Sequence, residues 1–453
     1  LYALSEVRRA KKSFVLIDKG PLGTTCARIG CMPSKVALHA AELWAVRKEQ
    51  AAYGIQGTEQ LSIDRTQAWK KVRELRDYFA DSAADNARES AGEHLIMGRA
   101  HFIEPTLISV NTEEGEQQIR AKSVIIAVGS RPVMPDFLKP YAEHCLTTDE
   151  LFEQEQLPSS LGVLGLGAIG LEMGLAMKRL GVEVVGADMA ESIGGINDPE
   201  VKQCALESLG QEFPMHLGAE AKLEAADRGV YLVTEKEKIQ VDKVLVALGR
   251  RSNLDQLNLA EAGFELTEKG LLDYDPQTMQ VKGHDNVFVI GDANGQRTLM
   301  HEAADEGAMA GYNASRDQAQ RFQRNVPIAI AFTQPDIVSV GERFEDIEQE
   351  KIVIGSANTG GNGRARILSD EEGVLRIYAC KKTGRLLGVA GIGPRMEHIA
   401  QFMALALEQK LTADELLQAP YYHPVVEEMV QAALRDIAKQ LKLSDLPRGV
   451  KAA

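Results

Sequence analysis

Residues 161–170, Leu161-Gly162-Val163-Leu164-Gly165-Leu166-Gly167-Ala168-Ile169-Gly170, read as a strand, a tight turn and the start of a helix. The turn has the spacing Gly-x-Gly-x-x-Gly. In that pattern Gly165 makes the turn, Gly167 lets the backbone approach a ligand, and Gly170 lets helix and strand pack closely. Free N–H groups at Ala168 and Ile169, with the positive end of the helix dipole, suit a pyrophosphate. Asp188 closes the next strand, 18 residues after Gly170. A carboxylate placed there bonds both hydroxyls of an adenosine ribose and repels a 2′-phosphate, so NAD is expected rather than NADP. Glycine turns also serve as plain packing devices. The flanking strand, helix and carboxylate are what carry the reading.

Outward from this turn the chain keeps alternating. A unit starting near Pro158 runs strand 161–165, helix 169–180, strand 182–187, a helix near 199–209, then strands ending in the run 244–249. Such alternation predicts a parallel sheet. Upstream, 14–18 reads as a strand, 34–50 and 66–90 as helices, 95–120 as short strands, and 124–129 as a buried parallel strand. Segment 127–132, Ala-Val-Gly-Ser-Arg-Pro, is similar to segment 247–252, Ala-Leu-Gly-Arg-Arg-Ser, which suggests two like modules in tandem. Downstream, strand 287–290 is followed by a helix. From about residue 328 an α+β unit closes with an amphipathic helix expected to start at Pro424. The expected fold class is α/β, with two Rossmann-like modules and a C-terminal α+β domain.

Composition narrows the function classes. With 44% apolar and 26% charged residues in 453, the chain can bury a full core without disulfide staples or a structural metal. A formal charge of −14, from 65 acidic and 51 basic side chains, disfavours nonspecific nucleic-acid binding. No apolar run approaches the roughly 20 residues that span a bilayer, so no membrane association is expected. The opening residues, with Arg8, Arg9, Lys11 and Lys12, do not read as a signal peptide, and a cytoplasmic protein is the expectation. Five cysteines do not make a secreted scaffold. Cys145, Cys204 and Cys380 are scattered and read as buried small hydrophobes.

Cys26 and Cys31 differ. They lie in Gly23-Thr24-Thr25-Cys26-Ala27-Arg28-Ile29-Gly30-Cys31-Met32-Pro33-Ser34-Lys35, five residues apart at the mouth of a helix. This is not zinc spacing. A helix N-terminus favours the thiolate, and two such thiols can exchange with a substrate disulfide, while glycines before and between them allow a tight turn. Spacing alone leaves open two core cysteines. Thiol–disulfide exchange also needs a base that titrates near neutrality, and His423 is a candidate. Glu428 could fix its imidazole tautomer, with Glu427 as the rival partner and a plain surface or capping histidine as the alternative. The remaining histidines show no metal-ligand spacing, Asp370-Glu371-Glu372 reads as a solvated turn, and Ser34 and Ser130 lack any nucleophile context.

The cysteine segment resembles the redox-active motif of the pyridine nucleotide–disulfide oxidoreductases, most of all their bacterial dihydrolipoamide dehydrogenase branch. The resemblance covers essentially the whole chain. It includes Glu172 after the glycine turn, Gly291-Asp292, Leu299-Met300-His301-Glu302-Ala303, and Tyr422-His423-Pro424-Val425-Val426-Glu427-Glu428. It implies FAD and NAD as cofactors and a homodimer whose active site is shared across the interface. The implied parts are an FAD-binding domain over 1–145, an NAD-binding domain over 146–270, a central domain over 271–325 returning to the FAD site, and an interface domain over 326–453. It implies that Cys26 is the interchange thiol and that Cys31 faces the flavin. Lys35 and Glu172 would form an ion pair beside its reactive nitrogen, and His423 would act on the other subunit's disulfide. Asp18, Lys35, Gly129, Gly291, Asp292, Leu299, Met300, His301 and Ala303 would meet FAD. Gly165, Gly167, Ala168, Ile169, Gly170, Asp188 and Gly249 would meet NAD. The implied activity is oxidation of protein-bound dihydrolipoyl groups, or of a small dithiol, with NAD⁺.

The chain departs from the pattern at its start. Leu1–Ala10 reads as the later part of a first helix, so a strand and glycine turn of about 20 residues would be expected before it. Other readings stay within reach. A glutathione-type reductase would place arginines where Asp188 stands, and a mercuric reductase would add a C-terminal cysteine pair. A soluble transhydrogenase would lack the complete disulfide. A flavin-free, truncated dimer acting as a binding protein is the non-enzymatic alternative.

Overall fold

Short β-branched runs pair into sheets, and several of the segments that pair are far apart in sequence. The computed structural model describes residues 1–442. The last part of the expected interface domain, 443–453, lies outside them. The chain divides into two compact units. The first comprises Leu1–Pro33, Lys71–Val133 and Leu248–Arg324; the second comprises Ser34–Lys70, Met134–Ala247 and Asn325 onward.

In the first unit, strand Leu16–Asp18 runs parallel to Leu95–Met97. Strand Val124–Ile126 pairs in parallel with Val287–Val289 of strand His284–Val289. An antiparallel sheet of Arg99–Glu104, Leu107–Thr112 and Gly115–Arg120 accounts for the polar, turn-rich stretch. Phe102, Val110, Val124, Ile126 and Val287–Ile290 meet in one apolar core. Helix Tyr2–Arg9 crosses helix Met300–Ala314 closely: a Cβ on Gly311 would fall 2.4 Å from the Ala3 carbonyl oxygen. A glycine is required at that crossing.

The two similar segments 127–132 and 247–252 face each other. Ser130–Pro132 and Arg250–Ser252 form an antiparallel pair, each preceded by a glycine with positive φ, +67° at Gly129 and +99° at Gly249. Those glycines end the preceding strands early. The runs expected as strands through 129 and 249 stop at Ile126 and Val246 because left-handed backbone leaves the ladder.

The second unit holds a five-stranded parallel sheet in the order Met215–Leu217, Glu183–Asp188, Ser160–Leu164, Lys243–Val246, Cys145–Leu146. Helix Ala168–Arg179 is apolar nearly all round and buried from Gly170 to Met177, with Lys178 and Arg179 complementing its C-terminal dipole. A second five-stranded sheet is antiparallel, ordered Ile328–Ala331, Asp336–Gly341, Leu386–Gly393, Val374–Cys380, Ile352–Asn358. Helix Glu428–Leu441 lays Met429, Val430, Ala433, Leu434 and Ile437 on the core shared with that sheet. It begins at Glu428 and not at the expected Pro424, because the chain first passes through a bend at Pro424 and a turn at Val426 and Glu427. Trp69 is fully buried, stacked on Phe152 with ring centroids 6.0 Å apart, and its Nε1–H donates to the Gln154 carbonyl at 2.9 Å.

Two local expectations are corrected. Only Cys145 is buried; Cys204 and Cys380 are half-buried. Glu371 and Glu372 are solvated, but Asp370 is half-buried, and burial beside Glu372 and Glu49 pushes its carboxyl up to about 6. No helix among the described residues is long and apolar enough to cross a membrane.

Candidate active site

The cysteine segment sits where three local devices meet. Thr24 caps helix Thr25–Ile29, its side chain accepting from the Ala27 N–H at 3.1 Å. Helix Cys31–Ala45 then begins at the second cysteine. Gly30 allows the chain to fold back between them: a Cβ there would lie 3.0 Å from the Thr25 carbonyl oxygen and 3.3 Å from the Cys26 Cα. Cys26 is half-buried at the helix start and Cys31 is exposed at the start of the next.

The other first-unit candidates lie on a strand end and around a glycine turn. Asp18 ends its strand and accepts from the Gly20 N–H at 2.7 Å. Asp292 lies in the turn Gly291–Asn294 and accepts from Ser130 Oγ at 2.5 Å, while that same hydroxyl oxygen accepts from Arg250 Nε at 2.7 Å. Gly291 has φ +61°, and a Cβ on it would press against the Ala303 Cβ at 3.2 Å, so the turn rests on the helix that Leu299 caps and Met300 opens. Leu299 and Met300 remain 41% and 44% exposed, and Val128 beside Gly129 37%. His301 is exposed as well. Apolar surface and a glycine with nothing within 4 Å of its missing Cβ, at Gly129, fit a flat, polar-edged group such as FAD.

In the second unit the three glycines of the 165–170 turn differ in what a side chain on each would meet. Gly165 has φ +90°. A Cβ on Gly167 would meet nothing within 4 Å, leaving room for a pyrophosphate, whereas one on Gly170 would fall 1.9 Å from the Gly165 carbonyl oxygen. Gly167, Ala168 and Ile169 are all exposed. Asp188 accepts from the Leu166 N–H at 2.6 Å and the Ala190 N–H at 2.8 Å, which ties the carboxylate to the turn itself. Gly249, expected beside NAD, falls in the first unit, where its carbonyl accepts from the Val133 N–H at 3.0 Å.

An ion pair and a histidine–carboxylate contact complete the second unit's candidates. Lys35 Nζ lies 3.0 and 2.8 Å from the two carboxylate oxygens of Glu172, which is 5% exposed. The Phe332 backbone N–H also donates to Glu172 at 2.9 Å, and the Phe332 ring centroid is 4.7 Å from Lys35 Nζ. Phe332 had no signal in the sequence, because a backbone donor is invisible there. His423 Nδ1 is 3.2 Å from both oxygens of Glu428, whose carboxylate also accepts from the Val425 N–H at 3.3 Å. Of the two candidate partners for His423, Glu428 is the one in contact. Ser130, dismissed as a nucleophile, has a different part in holding Asp292.

A parallel sheet with a glycine turn, this cysteine segment and an antiparallel C-terminal sheet together define a class. Residues 1–307 match the family model "Pyridine nucleotide-disulphide oxidoreductase", and residues 327–434 match the dimerisation domain of the same family. The chain belongs to this family of homodimeric, FAD- and NAD-binding flavoprotein oxidoreductases with a disulfide redox centre. It is 31% identical over 437 residues to the dihydrolipoyl dehydrogenase of Thermus scotoductus, covering 94% of this chain and 92% of that one. To the dihydrolipoyl dehydrogenase of Geobacillus stearothermophilus it is 30% identical over 440 residues, covering 92% and 89%. Among solved structures, LpdA from Mycobacterium tuberculosis superposes with a TM-score of 0.85 at 22% identity, with 96% of each chain covered. The HOCl-induced flavoprotein disulfide reductase RclA from Escherichia coli gives 0.82 at 21% identity, again with 96% of each covered. These two share the fold.

Proposed function

We propose that the protein oxidises dihydrolipoyl groups with NAD⁺ through Cys26 and Cys31. The observation that carries this reading is the His423–Glu428 pair. Glu428 holds Nδ1, which leaves Nε2 as the ring nitrogen that can take a proton from a dithiol. An imidazole oriented by a carboxylate suits proton transfer to and from a thiol.

The chemistry balances as dihydrolipoyl plus NAD⁺ giving lipoyl, NADH and a proton. His423 Nε2 takes a proton from the substrate dithiol. The substrate thiolate attacks the Cys26 sulfur and breaks the Cys26–Cys31 bond; the second substrate thiol then displaces Cys26 and leaves as the cyclic disulfide. FAD, when bound beside Asp292, supplies the two-electron relay between the cysteine pair and NAD⁺. Lys35, paired with Glu172, offers a fixed positive charge for that relay. Gly167 and the N–H groups at Ala168 and Ile169 receive the NAD pyrophosphate, and Asp188 its ribose.

The test is NADH formation from dihydrolipoamide and NAD⁺, followed by absorbance with the purified holoenzyme. Turnover on the scale of about 10 s⁻¹ or more is expected. No turnover, with NADH still oxidised in the presence of another disulfide or a metal-ion acceptor, would replace this reading with a reductase of different substrate.

A further inference from the structure

The turn Gly291–Asn294 is held from behind by a side chain that the reading above leaves without a role. Glu306, on helix Met300–Ala314, is 0% exposed. One of its carboxylate oxygens accepts from the Gly291 N–H at 2.6 Å and from Asn294 Nδ2 at 2.7 Å, so it grips both ends of the turn. The other accepts from Arg324 Nη2 at 2.6 Å. The same guanidinium nitrogen donates to Glu302 at 2.7 Å, and Glu302 accepts from Arg297 Nη1 at 2.8 Å.

Two carboxylates one helical turn apart repel each other, and in a buried setting the cost is several-fold larger than on a surface. Arg324 sits between them and Arg297 on the outer one, so the cluster is balanced charge for charge. Burial still pushes the Glu306 carboxyl up, against the opposing pull of the Gly291 N–H, Arg324 and Asn294. Holding a turn does not by itself require a charge; a neutral acceptor would satisfy one N–H at lower cost. What an ionised acceptor adds is two short, charge-assisted bonds that fix the direction of the turn. On its far side, Asp292 is held by the Ser130 hydroxyl and through it by Arg250. Asp292 is thus fixed from two directions, while its carboxylate stays partly accessible.

We infer that Glu306, set by Arg324, is a positioning residue that orients Asp292 toward the ribityl chain of FAD and thereby sets how tightly the cofactor is retained. This rests on the reading that Asp292 meets FAD. Glu306 acts from behind the turn, through Gly291 and Asn294, which flank Asp292.

The experiment is a double-mutant cycle on the full-length holoenzyme, read as the FAD dissociation constant from the rise of flavin fluorescence on dilution. Glu306→Gln and Asp292→Asn should each raise the constant about tenfold, and the double variant should be no weaker than the weaker single, because coupled groups are non-additive. Additive effects, or an unchanged constant in Glu306→Gln beside a raised one in Asp292→Asn, would overturn the inference alone. An unchanged constant in Asp292→Asn would instead bring down the assignment of Asp292 to FAD, and the inference with it. If Glu306→Gln gives no folded protein, Asn294→Ala takes its place in the cycle. It should raise the constant about threefold and add nothing to Asp292→Asn, and additivity there would overturn the inference equally.

Discussion

At the scale of single residues, the proposed chemistry separates cleanly between the dithiol and the NAD sides. Cys26→Ser removes the sulfur that meets the substrate, so dihydrolipoamide turnover should be abolished while flavin content stays at the wild-type level. His423→Gln should lower that turnover about 10²- to 10⁴-fold, the range for loss of a general base, while NADH-dependent reduction of an artificial one-electron acceptor stays intact. Stopped-flow and steady-state assays on the two variants check this, and equal loss of both activities in His423→Gln would remove His423 from its assigned role. The sequence reads well at this scale wherever a motif is local: the cysteine segment, the 165–170 turn and His423 with Glu428 are each a few residues long. Lys35 and Glu172, 137 positions apart, could be paired only through the family resemblance. Glu306 and Arg324 were not legible. Glu302 and Glu306 look in sequence like one solvated acidic face, and nothing local says that a guanidinium will lie between them.

At the scale of elements, strand Asp336–Gly341 and helix Met396–Glu408 bring two carboxyl groups, Asp336 and Glu397, under each other's influence. Asp336 is buried, and burial, then its hydrogen bond to Glu397 and that carboxylate's charge, hold its carboxyl up at about 9, while Glu397 is drawn down by the same hydrogen bond. Folded Asp336 therefore keeps a proton that the unfolded chain releases near 3.8. Folding takes up that proton between the two values, so this group's contribution to stability falls as pH rises through that window. Asp336→Asn keeps a hydrogen-bond donor without the titration. It should flatten the decline of Tm between pH 5 and pH 9 and stabilise the fold at pH 8 by about 1–3 kcal/mol. Thermal unfolding across that range is the measurement, and a slope unchanged from wild type would show that Asp336 does not keep its proton across that window. Element types were largely legible from periodicity, because strands at 161–165 and 287–290 and the amphipathic terminal helix carry clear patterns. Their ends were not, since Gly129, Gly249 and the segment 424–427 act through backbone angles that apolar patterning does not encode.

At the scale of the whole molecule, the proposal that His423 acts on the disulfide of the other subunit makes dihydrolipoamide turnover a property of the dimer. Diluting the enzyme below its dimer dissociation constant should reduce that activity in proportion to dimer content, with NADH-dependent reduction of an artificial acceptor falling less. Light scattering run beside the assays checks this, and parallel loss of the two activities would argue against a shared site. The division of the chain into its two units could not be read from sequence, because strands such as Val124–Ile126 and His284–Val289 pair across more than a hundred residues. One consequence is optical. The chain has two tryptophans, Trp44 and Trp69, and both belong to the second unit, whereas Asp18, Gly129, Gly291 and Asp292 belong to the first. If FAD is held chiefly by those first-unit residues, indole emission follows the melting of one unit and flavin emission the melting of the other. A single heating ramp read in two colours can therefore tell whether the molecule comes apart in one transition or in two.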